Sequence, residues 1–201
     1  MKNKSVILWD FDGVLMNSNE IRNLGFLEVL KDFPQEQVEL LMVFHKRNGG
    51  LSRYVKFRYF FEDIRKEQIT EIAIQTWAEK FSKIMMNLLC DKSLLIAQTI
   101  NFVRENYNTH KMHIVSGSDQ KELQAICQNL DISKYFQSIY GSPTPKNNLV
   151  ENLIKENDYI RGKCILIGDS INDYDAAIHN GIDFMGYGNP TITTKTTYQI
   201  F

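Results

Sequence analysis

The amino-acid sequence predicts an α/β protein, a doubly wound parallel sheet whose first strand is followed by a long helical insertion. Short apolar runs that end in polar turns recur along the chain, and the segments between the later runs have helical spacing. That alternation builds a parallel sheet with right-handed crossovers. From about Met16 to Leu89, by contrast, apolar residues recur three or four apart and no buried run interrupts them, which marks the insertion. The 201 residues suffice for one sizeable core and a small appended subdomain.

Val6-Ile7-Leu8-Trp9 is continuously apolar, as expected of a strand buried on both faces. Met112-His113-Ile114-Val115 precedes Ser116-Gly117-Ser118 in the same way, and Cys164-Ile165-Leu166-Ile167 precedes Gly168-Asp169-Ser170. Ser138-Ile139-Tyr140 and Asp183-Phe184-Met185 are weaker versions. The spacing predicts helices over roughly 93–107, 119–130, 147–157 and 173–180. Asp119 and Glu122 have capping-box spacing, and Gly181 stands where a helix end favours a left-handed residue. Inside the insertion, Arg47-Asn48-Gly49-Gly50-Leu51-Ser52-Arg53 breaks the helical pattern.

Composition narrows the function classes. With 43% hydrophobic and 23% charged residues the chain reads as an ordinary globular protein. A net charge of -1 supplies no field for nucleic acid or an anionic membrane. Cys90, Cys127 and Cys164 are odd in number and lack CxxC spacing, which suits reduced thiols and a cytoplasmic location. The charged start leads into only four apolar residues, too few for a signal peptide, and no run is long enough to span a membrane. A monomer or homodimer acting on a small molecule is expected.

Ligands of open α/β sheets bind beyond the carboxyl ends of the strands, so residues that follow the apolar runs should converge. Asp10 and Asp12 follow the first, Ser116 the second, Lys146 lies in the loop beyond Tyr140, and Asp169 and Asp173 follow the fourth. Paired carboxylates before Gly13 suit phosphoryl transfer: one attacks phosphorus while the other moves a proton. A D-x-D-G string alone also occurs in turns and calcium loops. Further acids at the same edge repel one another unless a hard cation such as Mg²⁺ offsets them. Asp173 could equally cap the following helix, Ser116 could cap one, and Lys146 could be solvated.

Taken together, these residues resemble the haloacid dehalogenase (HAD) superfamily, in its phosphoglycolate phosphatase and β-phosphoglucomutase-like branch. Asp10-Phe11-Asp12-Gly13-Val14-Leu15 matches the first motif, Ser116 the second, Lys146 the third and Gly168-Asp169-Ser170-Ile171-Asn172-Asp173 the fourth. The third departs from the branch's common Lys-Pro pair, with Pro143-Thr144-Pro145-Lys146-Asn147. The resemblance implies an α/β core of residues 1–15 and 90–201 and a helical cap of residues 16–89. It also implies that Asp10 is the nucleophile, Asp12 the general acid/base, and that Asp10, the Asp12 carbonyl and Asp169 hold Mg²⁺ with support from Asp173. Ser116, Gly117 and Lys146 would grip the phosphoryl group, and the cap break would meet the leaving group.

Around that break cluster His45, Lys46, Arg47, Arg53, Lys56 and Arg58. Arg47 and Arg53 are the candidate substrate contacts, for an anionic or hydroxylated leaving group. Phe57, Tyr59, Phe60 and Phe61 read as cap packing rather than a stacking platform. Asp12 argues against dehalogenation and phosphonate cleavage, because members with those activities lack that acid. The expected activity is a Mg²⁺-dependent phosphatase for a small phosphorylated metabolite. A sugar phosphomutase would use the same residues, and a non-catalytic binding protein on this fold would have lost a motif carboxylate or the lysine.

Overall fold

The computed structural model describes residues 4–201, so Met1–Asn3 of the charged start lie outside the described residues. Five parallel strands, β1 (Val6–Trp9), β2 (Lys111–Asp119), β3 (Ser138–Ser142), β4 (Cys164–Gly168) and β5 (Asp183–Gly186), lie in the spatial order β3-β2-β1-β4-β5. Helices α1 (Asn19–Val29), α2 (Gln35–Arg47), α3 (Arg53–Arg58) and α4 (Glu71–Leu89) separate β1 from α5 (Ala97–Asn106), which leads into β2. α6 (Gln120–Asn129), α7 (Lys146–Glu156) and α8 (Ile171–His179) follow the next three strands, and a single turn, α9 (Pro190–Thr193), follows β5.

β1 is central, with Trp9 in register with Ile114 on one side and Ile167 on the other. All four of its side chains are buried. Their alternation is between two apolar layers rather than between core and solvent. Ile7 and Trp9 join Met112, Ile114, Ile100 and Ile126 under α5 and α6. Leu8 joins Val115, Leu166, Leu153 and Ala176 under α7 and α8.

The inserted helices have their own aromatic packing, continuous with the first layer. Phe26 of α1 meets Phe81 of α4 at 4.5 Å and Phe57 of α3 at 5.5 Å between ring centroids. Phe33 takes Phe60 and Phe61 edge-on from the π-helical turn Tyr59–Ile64, a favoured aromatic geometry. The Phe57–Phe61 stretch is therefore packing, as its spacing predicts. The two chain crossings that carry the insertion lie side by side: Asn17 N donates to Leu94 O at 2.8 Å and Ile96 N to Leu15 O at 3.0 Å.

Local differences from the sequence reading have physical causes. β2 does not stop at Val115 but runs to Asp119, with a shift in its pairing to β3 between those residues. A short 3₁₀ turn, Lys92–Leu94, precedes α5, so that helix starts later than its apolar spacing suggests. Lys146 is the first residue of α7 rather than part of a loop. Asp119 does cap α6, accepting from Lys121 N and Glu122 N, but the Glu122 side chain turns inward to two arginines. The complete capping box is Ser170 with Asp173. Gly181 adopts φ +62° beyond α8, as its position predicts. Among the described residues no helix is long and apolar enough to cross a membrane.

Leu166 is fully buried in β4, so Leu166→Ala is expected to destabilise the fold by about 2–5 kcal/mol. Urea unfolding monitored by circular dichroism checks this. Ile72, 82% exposed on α4, is the control, and its alanine variant should stay within about 0.5 kcal/mol of wild type.

Candidate active site

Beyond β1 and β4 the chain departs in opposite directions across the sheet, so the carboxyl ends of these neighbours flank the crevice. Asp10 leaves β1 there, its N–H bonded to Ile167 O at 2.9 Å. Asp169 leaves β4 beside it. The turn between Asp12 and Met16 requires Gly13, which has φ +76° and stands so close that a Cβ would lie 2.0 Å from Asp169 Oδ2.

Three acids converge. Asp10, Asp169 and Asp173 each place a carboxylate oxygen within 4.8 Å of the others. Lys146, almost fully buried, pairs with Asp10 Oδ1 at 2.9 Å and also with Asp173. Burial, then the charge of Asp173, drives the Asp10 carboxyl well above its ordinary range, partly opposed by Lys146. Burial and Asp173 likewise raise Asp169 to about 6, against a hydrogen bond from Asn19 Nδ2 at 2.9 Å. Burial alone would lower the Lys146 ammonium, but Asp10 and Asp173 outweigh it and hold it above its usual value. Asp173 also accepts from Ser170 N and Oγ at 3.0 and 2.6 Å, so it is at once a helix cap and a member of the acidic cluster.

Asp12 has different surroundings. Its Oδ1 accepts from Arg22 Nε at 3.0 Å and from Ser18 Oγ, and its Oδ2 accepts from Ser118 Oγ at 2.6 Å. Burial pushes this carboxyl up, but Arg22, with the serine hydrogen bonds, pulls it below its ordinary value. Arg22 continues to Glu122, which Arg53 of α3 grips with two bonds at 2.5 and 2.8 Å. A buried chain of alternating charge, Asp12–Arg22–Glu122–Arg53, thus joins the first motif to the inserted helices.

A cavity of about 600 Å³ lies between these layers. Asp10, Asp12, Ser116, Gly117 and Asp169 line it from the sheet side, and Arg47, Gly50, Arg53 and Lys56 from the insertion. Arg47 is exposed at its rim. Arg53 lines it with its guanidinium taken up by Glu122 and Ser82. Ser116 is buried, its Oγ accepting from Ser118 N at 3.1 Å. Lys146 lies behind Asp10, on its Asp173 side, rather than on the cavity wall. Arg58 pairs with Glu62 and Glu71 on the surface, away from the cavity. The glycine break docks directly onto the sheet side: Gly50 O accepts from Asn172 Nδ2 at 3.0 Å, and a Cβ on Gly117 would stand 2.1 Å from the same oxygen.

Sequence reasoning passed over Arg22, Ser18, Ser118 and Asn19, and read Glu122 only as a cap. A signal for Arg22 was present. It falls on the inward stripe of α1 with Gly25 and Phe26, and a charge on a buried stripe needs a partner. Nothing in the spacing identifies that partner, 100 residues away.

Comparison with known proteins places the chain in a family. The family profile for haloacid dehalogenase-like hydrolases matches residues 7–187. The chain belongs to this family. The chain is 24% identical over 196 residues to a phosphoglycolate phosphatase of Colwellia psychrerythraea, covering 92% of this chain and 85% of that one. Among solved structures, β-phosphoglucomutase from Clostridium difficile superposes with a TM-score of 0.76 at 17% identity, over 98% of this chain and 91% of that one. A predicted phosphoglycolate phosphatase from Haemophilus somnus does so with 0.74 at 21% identity, over 97% and 92%. The HAD-like sheet and its helical layers are shared with both.

Two outcomes follow from the contacts. Gly117→Ala should push the Gly50 loop off the sheet edge and lower turnover on the order of 10²-fold without unfolding the chain; steady-state kinetics beside a thermal melt separates these effects. Glu122→Gln leaves two buried arginines short of a charge and should destabilise by about 3–5 kcal/mol at neutral pH. Because folding lowers the Glu122 pKa, its contribution is present above the unfolded carboxyl value and lost as pH falls through the folded one. The stability gap between wild type and variant should therefore narrow in urea titrations below pH ~4.5.

Proposed function

We propose that this HAD-like hydrolase is a Mg²⁺-dependent phosphatase that cleaves a small phosphomonoester through an aspartyl-phosphate on Asp10. One observation carries the reading. Asp10 stands on the cavity floor against a buried lysine, while Asp12, two residues on, is held in a separate hydrogen-bonded setting beside the same cavity. Two carboxylates with divergent environments suit divided roles.

The residues fit a divalent cation. Three carboxylates crowd within 4.8 Å, and two of them are displaced upward in pKa by burial and mutual repulsion, the imbalance that a hard, oxygen-seeking cation relieves. Asp10 and Asp169 would hold Mg²⁺ with the Asp12 carbonyl, and Asp173 would support them. When bound, the ion supplies charge neutralisation of the phosphoryl oxygens.

The chain's own groups do the rest. An Asp10 carboxylate oxygen attacks phosphorus, the ester P–O bond breaks, and Asp12 delivers a proton to the departing alkoxide. A water then attacks the aspartyl-phosphate, the Asp10 O–P bond breaks, and Asp12 takes the water's proton, which restores both residues. Ser116 and the Gly117 backbone bind phosphoryl oxygens, while Lys146 fixes the Asp10 carboxylate and offsets its charge. Residues 16–89 act as the cap over a core of 1–15 and 90–201. Arg47 meets the leaving group at the rim, and Arg53 positions the cap through Glu122. Cys90, Cys127 and Cys164 are free thiols, which supports a reducing, cytoplasmic setting.

Phosphate release from a panel of phosphomonoesters with MgCl₂ tests this. Asp10→Asn should abolish turnover, and chelation should do so reversibly. Asp12→Asn should cut alkyl phosphate hydrolysis by about 10²–10⁴-fold; with p-nitrophenyl phosphate, whose alcohol leaves without a proton, a burst of p-nitrophenol should precede slowed hydrolysis of the aspartyl-phosphate. Full activity in Asp10→Asn would rule out the covalent route.

A further inference from the structure

We propose that Lys56 is the receptor for a second acidic group on the substrate, a carboxylate carried by the leaving alcohol; this rests on the phosphatase reading and specifies its substrate class. The described chain buries three lysines almost completely, Lys4, Lys56 and Lys146. Lys4 pairs with Asp183, and Lys146 with Asp10 and Asp173. Lys56 lines the cavity, and its ammonium has no hydrogen bond or ion pair among the described residues. Its nearest described aromatic contact is the Phe26 ring, 5.8 Å from Nζ to the centroid.

An unpaired buried ammonium is unfavourable enough that proteins rarely keep one without use. Burial draws this one down to about 7, with Arg22 and Arg53 adding to the effect and only Asp12 opposing it. The oxygens of Asp12 are already taken by Arg22, Ser18 and Ser118, and those of Glu122 by Arg22 and Arg53. Three desolvated cations, Arg22, Arg53 and Lys56, therefore face two carboxylates. In its protonated form, which an arriving carboxylate favours, Lys56 leaves one positive charge over.

Its position fixes whose charge it awaits. Lys56 comes from the insertion and lines the cavity over the Phe26 ring of α1, whereas Ser116 and Gly117, assigned to the phosphoryl oxygens, line it from the sheet side, so the surplus charge lies on the leaving-group side and not at the phosphoryl pocket. A single excess charge matches a monoanion. A lysine presents it as a point charge rather than the planar fork by which arginine holds phosphate. Arg53, one turn earlier on the same helix, cannot take this role, because Glu122 and Ser82 occupy it. His45 also lines the cavity with a buried, unpartnered Nδ1, but burial lowers its pKa to about 3. It offers a neutral hydrogen bond and no charge.

Phosphoglycolate and ethyl phosphate share a two-carbon skeleton and differ in the carboxylate. Titrated by calorimetry with MgCl₂ into the full-length Asp10→Asn protein, phosphoglycolate is expected to bind at least about tenfold more tightly than ethyl phosphate, the scale of one charge-assisted bond. Adding Lys56→Met should collapse that ratio to within about twofold of unity, with Lys56→Arg keeping part of it. Ethylene glycol bisphosphate tests a phosphate at the same place, and tighter binding of it than of phosphoglycolate would overturn the carboxylate assignment. Equal loss of affinity for both monoesters in Lys56→Met, or an unchanged ratio, would overturn the proposal. So would a lowered melting temperature for Lys56→Met, since removing an unpaired buried charge should raise it. If wild type hydrolyses none of these esters nor p-nitrophenyl phosphate, the phosphatase reading fails, and the binding ratio still decides the role of Lys56.

Discussion

Three carboxylates share the end of this sheet, and a single buried ammonium makes their company tolerable. Lys146 contacts Asp10 and Asp173 from the first turn of α7. Without it, Asp10 would lie desolvated beside two further acids with no fixed positive charge to oppose them. Yet one lysine does not balance three carboxylates, and the upward displacement of Asp10 and Asp169 is the residue of that imbalance. The strand order places the acids, the lysine limits their repulsion, and the remaining deficit makes the cluster suited to a cation.

A second charge system begins at Asp12, beside the first, and with Lys56 counted it has the opposite sign in excess. Arg22 spans from Asp12 to Glu122, and Glu122 reaches Arg53 of α3. This chain of ion pairs links inserted helices to the first motif and the first turn of α6, beside the apolar packing that the insertion shares with the sheet layer. Such pairs need good geometry to persist and lose much when one partner is removed. The Gly50 loop seated on Gly117 adds a steric register to the electrostatic one. Together they fix where the insertion stands over Asp10.

The sheet was legible because its strands are buried on both faces and read as unbroken apolar runs, as at Val6–Trp9 and Cys164–Ile167. The loop chemistry at the strand ends was legible for the same reason, since the acids follow the runs directly. The end of β2 was harder to read: Ser116-Gly117-Ser118 looks like a turn, yet the strand continues through it and pairs with β3 again at Asp119 after a shift in register. Lys146 was found but misplaced, because two prolines before it suggest a loop, although Pro145 in fact precedes the helix as its cap residue. Arg22 and Glu122 were lost for a different reason. Each has an adequate local explanation in its own helix, and their shared role exists only after 100 residues of chain have folded back.

The two motif carboxylates are displaced in opposite directions, and in the free protein those directions are the reverse of what the proposed chemistry needs. Asp10 must be ionised to attack, yet burial and neighbouring acids favour its proton. Asp12 must carry a proton to release the alcohol, yet Arg22 and two serines favour its charge. Both discrepancies have the same remedy on the proposed reading. Positive charge at the acidic cluster ionises Asp10, and the negative phosphoryl group arriving beside Asp12 makes its proton easier to hold. On that reading, the ligands that complete the site also supply the charges that reverse both assignments.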